Sequence, residues 1–164
     1  MMYNTPQEQK ENLLREVAVL HKRHELSGTV GADYFEPGMM EYLEQSEGIW
    51  DAQTGGILAR FEVKGTRYEG RTERIEKVCV GDSVQIIRDS ENPYNSNNFL
   101  ILTEKGKNLG NMPAQLCNAI APLYDGGNLT IAVAQVSFVE PISKRSRHAK
   151  QAVLFVEVKM NIQI

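Results

Sequence analysis

A chain of 164 residues with 41% apolar and 24% charged residues fits one globular domain with a modest extension, and excludes both a multidomain enzyme and a disordered polymer. No apolar run reaches the roughly 18 residues of a membrane span, and the N-terminus MMYNTPQEQKENLL lacks the basic-then-apolar order of a signal peptide, so a cytoplasmic protein without a membrane partner is expected. The formal charge of −3 is unevenly divided: residues 1–56 hold four Lys/Arg against ten Asp/Glu, a net −6, whereas residues 57–164 hold fourteen against eleven, a net +3. The chain has two electrostatic halves, and the balance of the second leaves a nucleic-acid partner open there.

Thr5, Pro6 and Glu8 have the spacing of a capping box, with Thr5 at the N-cap, Pro6 at the first helical position and Glu8 at the third. Leu13, Leu14, Val17, Ala18 and Leu20 then recur at helical spacing up to a stop at Gly28, which predicts one amphipathic helix. A second, shorter helix is expected from Pro37, with Met39, Met40 and Leu43 on one face, followed by Trp50 and a Gly55-Gly56 break. From Ile57 the period becomes alternating, with Ile57, Ala59, Phe61 and Val63 facing one way, which is the pattern of a half-buried strand. Further strands are expected at 75–80, 84–88, 99–103 and 108–112, with Glu104-Lys105-Gly106-Lys107 as a hairpin turn. Pro113 opens a brief helix carrying Leu116, Cys117, Ile120 and Leu123, and two longer strands follow at 129–139 and 152–160 with KRSRHAK between them.

Many short strands, tight turns and one small helix predict an α+β, mainly β chain with a small, compact β-barrel rather than a parallel sheet, since no strand is followed by a full crossover helix. The domain border falls near residue 56, giving an acidic extension of two helices (1–56) and a barrel domain (57–164). Cys79 and Cys117 lie far apart without a CxxC, which argues for buried thiols rather than a disulfide framework or a zinc ribbon.

Three stretches taken in order carry a resemblance: GTRYEG at 65–70, GDSVQIIRDSENPYNSNNFLI at 81–101 and LGNMPAQLCNAIAPLYDGG at 109–127. Their sequence of a G-x-R-Y stretch, a G-D-x-V strand, an N-P-Y loop and a strand ending in Gly before a helix resembles the HIRAN domain over about residues 57–160. The resemblance implies an OB-like barrel that binds the 3′ end of single-stranded DNA without catalysis or cofactor, as a module of fork-remodelling helicases in DNA repair or as a stand-alone bacterial protein. It places Arg67 and Tyr68 at the DNA groove and Tyr94 against the terminal nucleotide. The family's usual Asp after that Tyr is Asn95 here, which keeps an acceptor oxygen but loses the charge. Basic and histidine positions of the family helix are Asn111 and Ala114. The last hairpin carries Lys144, Arg145, Arg147, His148 and Lys150 where eukaryotic members stack an aromatic, so charge replaces stacking there.

The residues fit single-strand binding on their own chemistry, because Tyr68 and Tyr94 offer faces for bases while Arg67 and Arg71 offer cations for the backbone. The hairpin cations are also what any solvated loop tip carries. His21 and His24 lie on one helical face but have no third ligand at recognisable spacing, so no metal site is expected. Asp82, Asp89 and Glu91 lack a paired acid-base arrangement, and no Walker loop, G-x-S-x-G or HExxH occurs, so no enzyme is expected. The acidic helices are expected to dock on the barrel or on a second copy as a homodimer element, with Trp50 as an anchor. The alternative function is a protein-interaction or homo-oligomerisation module that kept the fold and lost end recognition.

Overall fold

The computed structural model describes residues 5–25, 50–51 and 54–164, with side chains for 5–20 and 54–164. The expected helix from Pro37 and the side chains of His21, His24 and Trp50 lie outside the described residues. Helix α1 (Pro6–Glu25) begins as its capping box requires, the Glu8 N–H donating to Thr5 Oγ at 3.2 Å. Strand β1 (Trp50–Asp51) pairs with β2 (Gly56–Glu62), and after the short helix α2 (Arg71–Ile75) come β3 (Val84–Asp89), β4 (Asn98–Thr103) and β5 (Asn108–Asn111). Helix α3 (Ala114–Asp125) precedes the long strands β6 (Leu129–Glu140) and β7 (Val153–Ile162).

One stretch departs from its expected strand. Residues 71–80 form α2 and a turn, with the Val78 N–H on Ile75 O at 3.0 Å. Ile75 and Val78 are both buried, a three-residue spacing that one helical turn satisfies and alternation does not. Gly70 starts this turn at φ 75, in the left-handed region that glycine tolerates.

The strands form two antiparallel sheets, β1-β2-β7-β6 and β3-β4-β5. Two isolated bridges join them: Lys64, beyond the end of β2, with Asn111, the last residue of β5, and Ser83, just before β3, with Gln135 of β6. At the first seam the Lys64 and Asn111 backbones exchange hydrogen bonds of 2.8 and 2.9 Å, and Gly110 comes so close to Lys64 O that no Cβ would fit there. At the second, Gly81 N–H donates to Val136 O and Val136 N–H to Asp82 O. β6 has register shifts on either side of this contact, and such bulges bend a strand toward a new neighbour. The mainly β architecture is thus as expected, but the ring β2-β7-β6-β3-β4-β5 is closed by short seams rather than by continuous ladders.

The core lies between the sheets and under the helices. Alternate residues of β2 (Ile57, Ala59, Phe61) and β7 (Leu154, Val156, Val158, Met160) point into it, joined by Phe99, Ile101 and the inner face of α3. Leu13, Leu14, Val17 and Ala18 of α1 belong to the same core cluster, because α1 packs on α3 and β2. The apolar stripe of α1 is therefore covered by its own chain. Arg88 locks the far end: it makes a bidentate pair with Asp125 at 3.0 and 2.9 Å, donates to Ser96 O and Asn98 O, and lies over Phe99. The hydrogen-bonded carboxylate raises the Arg88 pKa.

Candidate nucleic-acid interface

Two loops face each other across the first seam. In the loop after β2, Gly65 adopts φ 72, and a Cβ there would lie 2.9 Å from Arg71 Nη1. Arg71 is buried and works inward, donating to Gly65 O at 3.0 Å and to Glu69 Oε2 at 3.1 Å, while its Nε has no partner among the described residues. Thr66 Oγ donates to Ala152 O and Thr72 Oγ to Thr66 O, which fixes the loop to the residue before β7 and to α2. These anchors leave Tyr68 55% exposed, with the Arg67 guanidinium 5.1 Å from its ring centroid, a cation–π contact.

In the loop after β3, Asn92 Oδ1 accepts the backbone N–H groups of Tyr94 and Asn95 at 2.9 and 3.0 Å. Such an Asx turn holds the backbone without using the following side chains. Tyr94 consequently stands 95% exposed. Between the loops lies a cleft of about 760 Å³, lined among others by Tyr68, Arg71, Asp89, Tyr94, Leu100 and Asn111.

Of the residues expected at a site, Tyr68, Tyr94 and Arg71 line this one cleft, and Arg67 sits at its rim on Tyr68. Asn95 is turned elsewhere: its amide donates to Asn118 on α3 at 3.2 Å, and its oxygen accepts from Asn97 N–H. The hairpin cations Lys144, Arg145, Arg147 and His148 do not line the cleft either. Lys144 ends a single 3-10 turn (Ile142–Lys144), Arg145 pairs with Glu140 at 3.5 Å, and Ser143 N–H donates to Glu76.

Sequence reasoning missed Asp89, Asn92 and Asn111 as cleft-forming groups. Asp89 and Asn98 are opposite each other in the β3–β4 register, and that pairing, legible once the strands are aligned, was the available signal. It also missed a neighbouring cleft of about 690 Å³ beyond Arg74, rimmed by Lys77, Lys105 and Lys107. Arg74 separates the two, donating to Asn108 O at 2.6 Å.

Cys117 is buried as expected, and burial pushes its thiol up to about 11. Cys79, expected to be buried, is exposed, because it lies in the turn where its N–H donates to Asp82 rather than in a strand. No group of three or more His, Cys, Asp or Glu able to hold a metal occurs among the described residues. No described helix is long and apolar enough to cross a membrane.

A profile of the HIRAN domain matches residues 58–156, more than half of the chain. The chain belongs to the HIRAN domain family. Among solved structures it is similar to the HIRAN domain of human HLTF, at 21% identity and a TM-score of 0.48 over 66% of this chain and 82% of that one. A protein from Lactobacillus plantarum is similar at 21% identity and a TM-score of 0.47, over 64% of this chain and 98% of that one. A second structure of the HLTF HIRAN domain, in its DNA-bound conformation, gives 20% identity and a TM-score of 0.43, over 65% of this chain and 76% of that one. The comparison with curated proteins finds no match. Within this HIRAN chain the matched span contains both cleft loops and both seams.

Proposed function

We propose that this HIRAN protein is a non-enzymatic DNA-binding module that takes the 3′ end of a single strand in the cleft between Tyr68 and Tyr94. The observation that carries the reading is two exposed tyrosines on facing loops of one cleft. An exposed aromatic face gains from stacking on a base, by about 1–3 kcal/mol each. A tyrosine left 95% exposed has no packing role in the fold to account for it. Arg67, riding on Tyr68, supplies a cation at the rim, and Arg71 shapes the loop from beneath. Membership of a family that includes a domain with a DNA-bound structure supports the same ligand class. The cations at 144–150 form an outer wall that adds long-range attraction without touching the cleft.

The test is fluorescence anisotropy with short labelled single strands bearing a free 3′-hydroxyl, compared with blunt duplex of the same sequence. Binding of the single strand at low salt that weakens as salt rises is expected, because phosphate contacts release counterions. No binding of the single strand at low salt, or equal binding of blunt duplex, would refute the reading.

A further inference from the structure

A single strand whose end lies in the first cleft has to leave it, and the neighbouring cleft of about 690 Å³ lies across one shared wall. Arg74 forms that wall. Its Nη1 donates to Asn108 O at 2.6 Å and its Nη2 to Glu69 O at 3.0 Å, so it ties together two residues that line the first cleft while itself lining the second. Both acceptors are neutral carbonyls, and no carboxylate among the described residues pairs with Arg74. Its charge therefore stands uncompensated on the saddle between the clefts.

The second cleft joins an apolar floor to a cationic rim. The floor is Val78, Val84 and Leu109, all buried, and the rim carries the exposed Lys77, Lys105 and Lys107, none of which has an ion-pair partner among the described residues. Glu73, Asp82 and Glu104 also line it, so that with Arg74 four cations face three carboxylates. Asp82 is turned to the backbone, accepting the Cys79 N–H at 2.9 Å. The turn that bears two of the lysines is fixed in advance: Thr103 N–H donates to Lys107 O at 2.8 Å, Lys107 N–H to Thr103 Oγ1 at 3.1 Å, and Gln85 Nε2 reaches Thr103 O and Glu104 O. A backbone ordered before the ligand arrives lowers the entropic cost of binding. Elsewhere the first cleft is lined by Asp89, Asn92 and Asn111, and by Arg71, whose guanidinium pairs with Glu69. The field therefore draws a phosphate chain toward Arg74 and the lysines.

We infer that the nucleotides next to the bound end cross Arg74 and lie in this second cleft, with bases against Val78, Val84 and Leu109 and phosphates on Lys77, Lys105 and Lys107. The protein thus holds a run of single strand and not only its last nucleotide. The inference rests on the single-strand reading above and adds a second subsite, supplied by α2, the residues that follow it and the Thr103–Asn108 turn.

The experiment measures affinity and its salt dependence for single strands of roughly 2 to 12 nucleotides, which brackets most site sizes of small single-strand-binding folds. The longest strand is expected to bind roughly tenfold or more tighter than the shortest, with a steeper fall in salt. Lys77→Gln, Lys105→Gln and Lys107→Gln together should lower the logarithmic salt slope of the longest strand by about 2, at about 0.7 per lost phosphate contact, and erase the gain from length. Lys144→Gln, Arg147→Gln and Lys150→Gln remove as much charge from the last hairpin and should keep the ratio of long to short. Cys79, exposed beside Val78, gives a local reading: the longest strand should slow its alkylation and the shortest should not. A thermal melt checks that both triple variants are folded. The second subsite is overturned, while end binding stands, if the wild type gains nothing from length, if the cleft variant keeps the gain, if the hairpin variant loses it equally, or if the longest strand leaves Cys79 as reactive as before. If no strand of any length binds, the single-strand reading fails first.

Discussion

Replacing Tyr94 by alanine separates binding from folding more cleanly than any other change in the cleft. The ring is 95% exposed, and its backbone is held by Asn92 Oδ1 rather than by its own side chain. Truncation should therefore change stability by no more than about 0.5 kcal/mol, the usual range for a surface site. If the ring stacks on a terminal base, its loss costs about 1–3 kcal/mol of binding, which converts to roughly a 5- to 150-fold weaker Kd. Anisotropy titration of a labelled strand with a free 3′-hydroxyl, run beside a urea melt of each protein, reads both quantities. Tyr94→Phe keeps the stacking face and should restore most of the affinity. A Tyr94→Ala protein of wild-type stability and wild-type affinity would show that the exposed ring does not meet the ligand, and the cleft would lose its main support as a strand site.

The packing sets three further outcomes. Leu13→Ala in α1 removes a side chain with no exposure and should destabilise the whole protein by about 2–5 kcal/mol in a single urea transition. A change below about 0.5 kcal/mol would mean that α1 is undocked in solution. With its thiol raised to about 11, Cys117 should resist a thiol reagent at pH 8 until the chain unfolds, while exposed Cys79 reacts at once. Because the folded pKa lies above the ordinary value of 9.0, the contribution of protonated Cys117 to stability is complete below about pH 9 and is lost as the pH rises toward 11. Cys117→Ala should flatten that alkaline fall, and two thiols reacting equally fast in the native protein would contradict the burial.

Alternation placed β2, and turn chemistry placed the Thr103–Asn108 turn, where Gly106 sits at φ 84. Each of those signals is local. The 71–80 stretch misled because Ile75 and Val78 satisfy a short helical turn as well as a strand, and only contact with the rest of the core decides between them. Tyr68 and Tyr94 are legible through the G-x-R-Y and N-P-Y stretches that carry the family resemblance, and both line the cleft. Asp89 is legible only after the strands are aligned, because its place in the cleft wall rests on Asn92, three residues on, and Asn98, opposite on the neighbouring strand. Charge was the poorest guide: the densest cluster of cations, at 144–150, lies off the cleft, whereas the acidic segment contributes Leu13 and Val17 to the core.

Asn111 belongs to two structures at once. Its backbone amide and carbonyl close the seam with Lys64, and its side chain lines the cleft, where Oδ1 accepts from Asn98. Opening that seam would dismantle the wall, so any ligand that needs the wall intact favours the closed form. Amide protons at Lys64 and Asn111 would then exchange with solvent more slowly when the cleft is filled, while those at the opposite seam, around Gly81 and Val136, would not. Occupancy of a surface cleft would thus be written into the protection of the barrel's own closure.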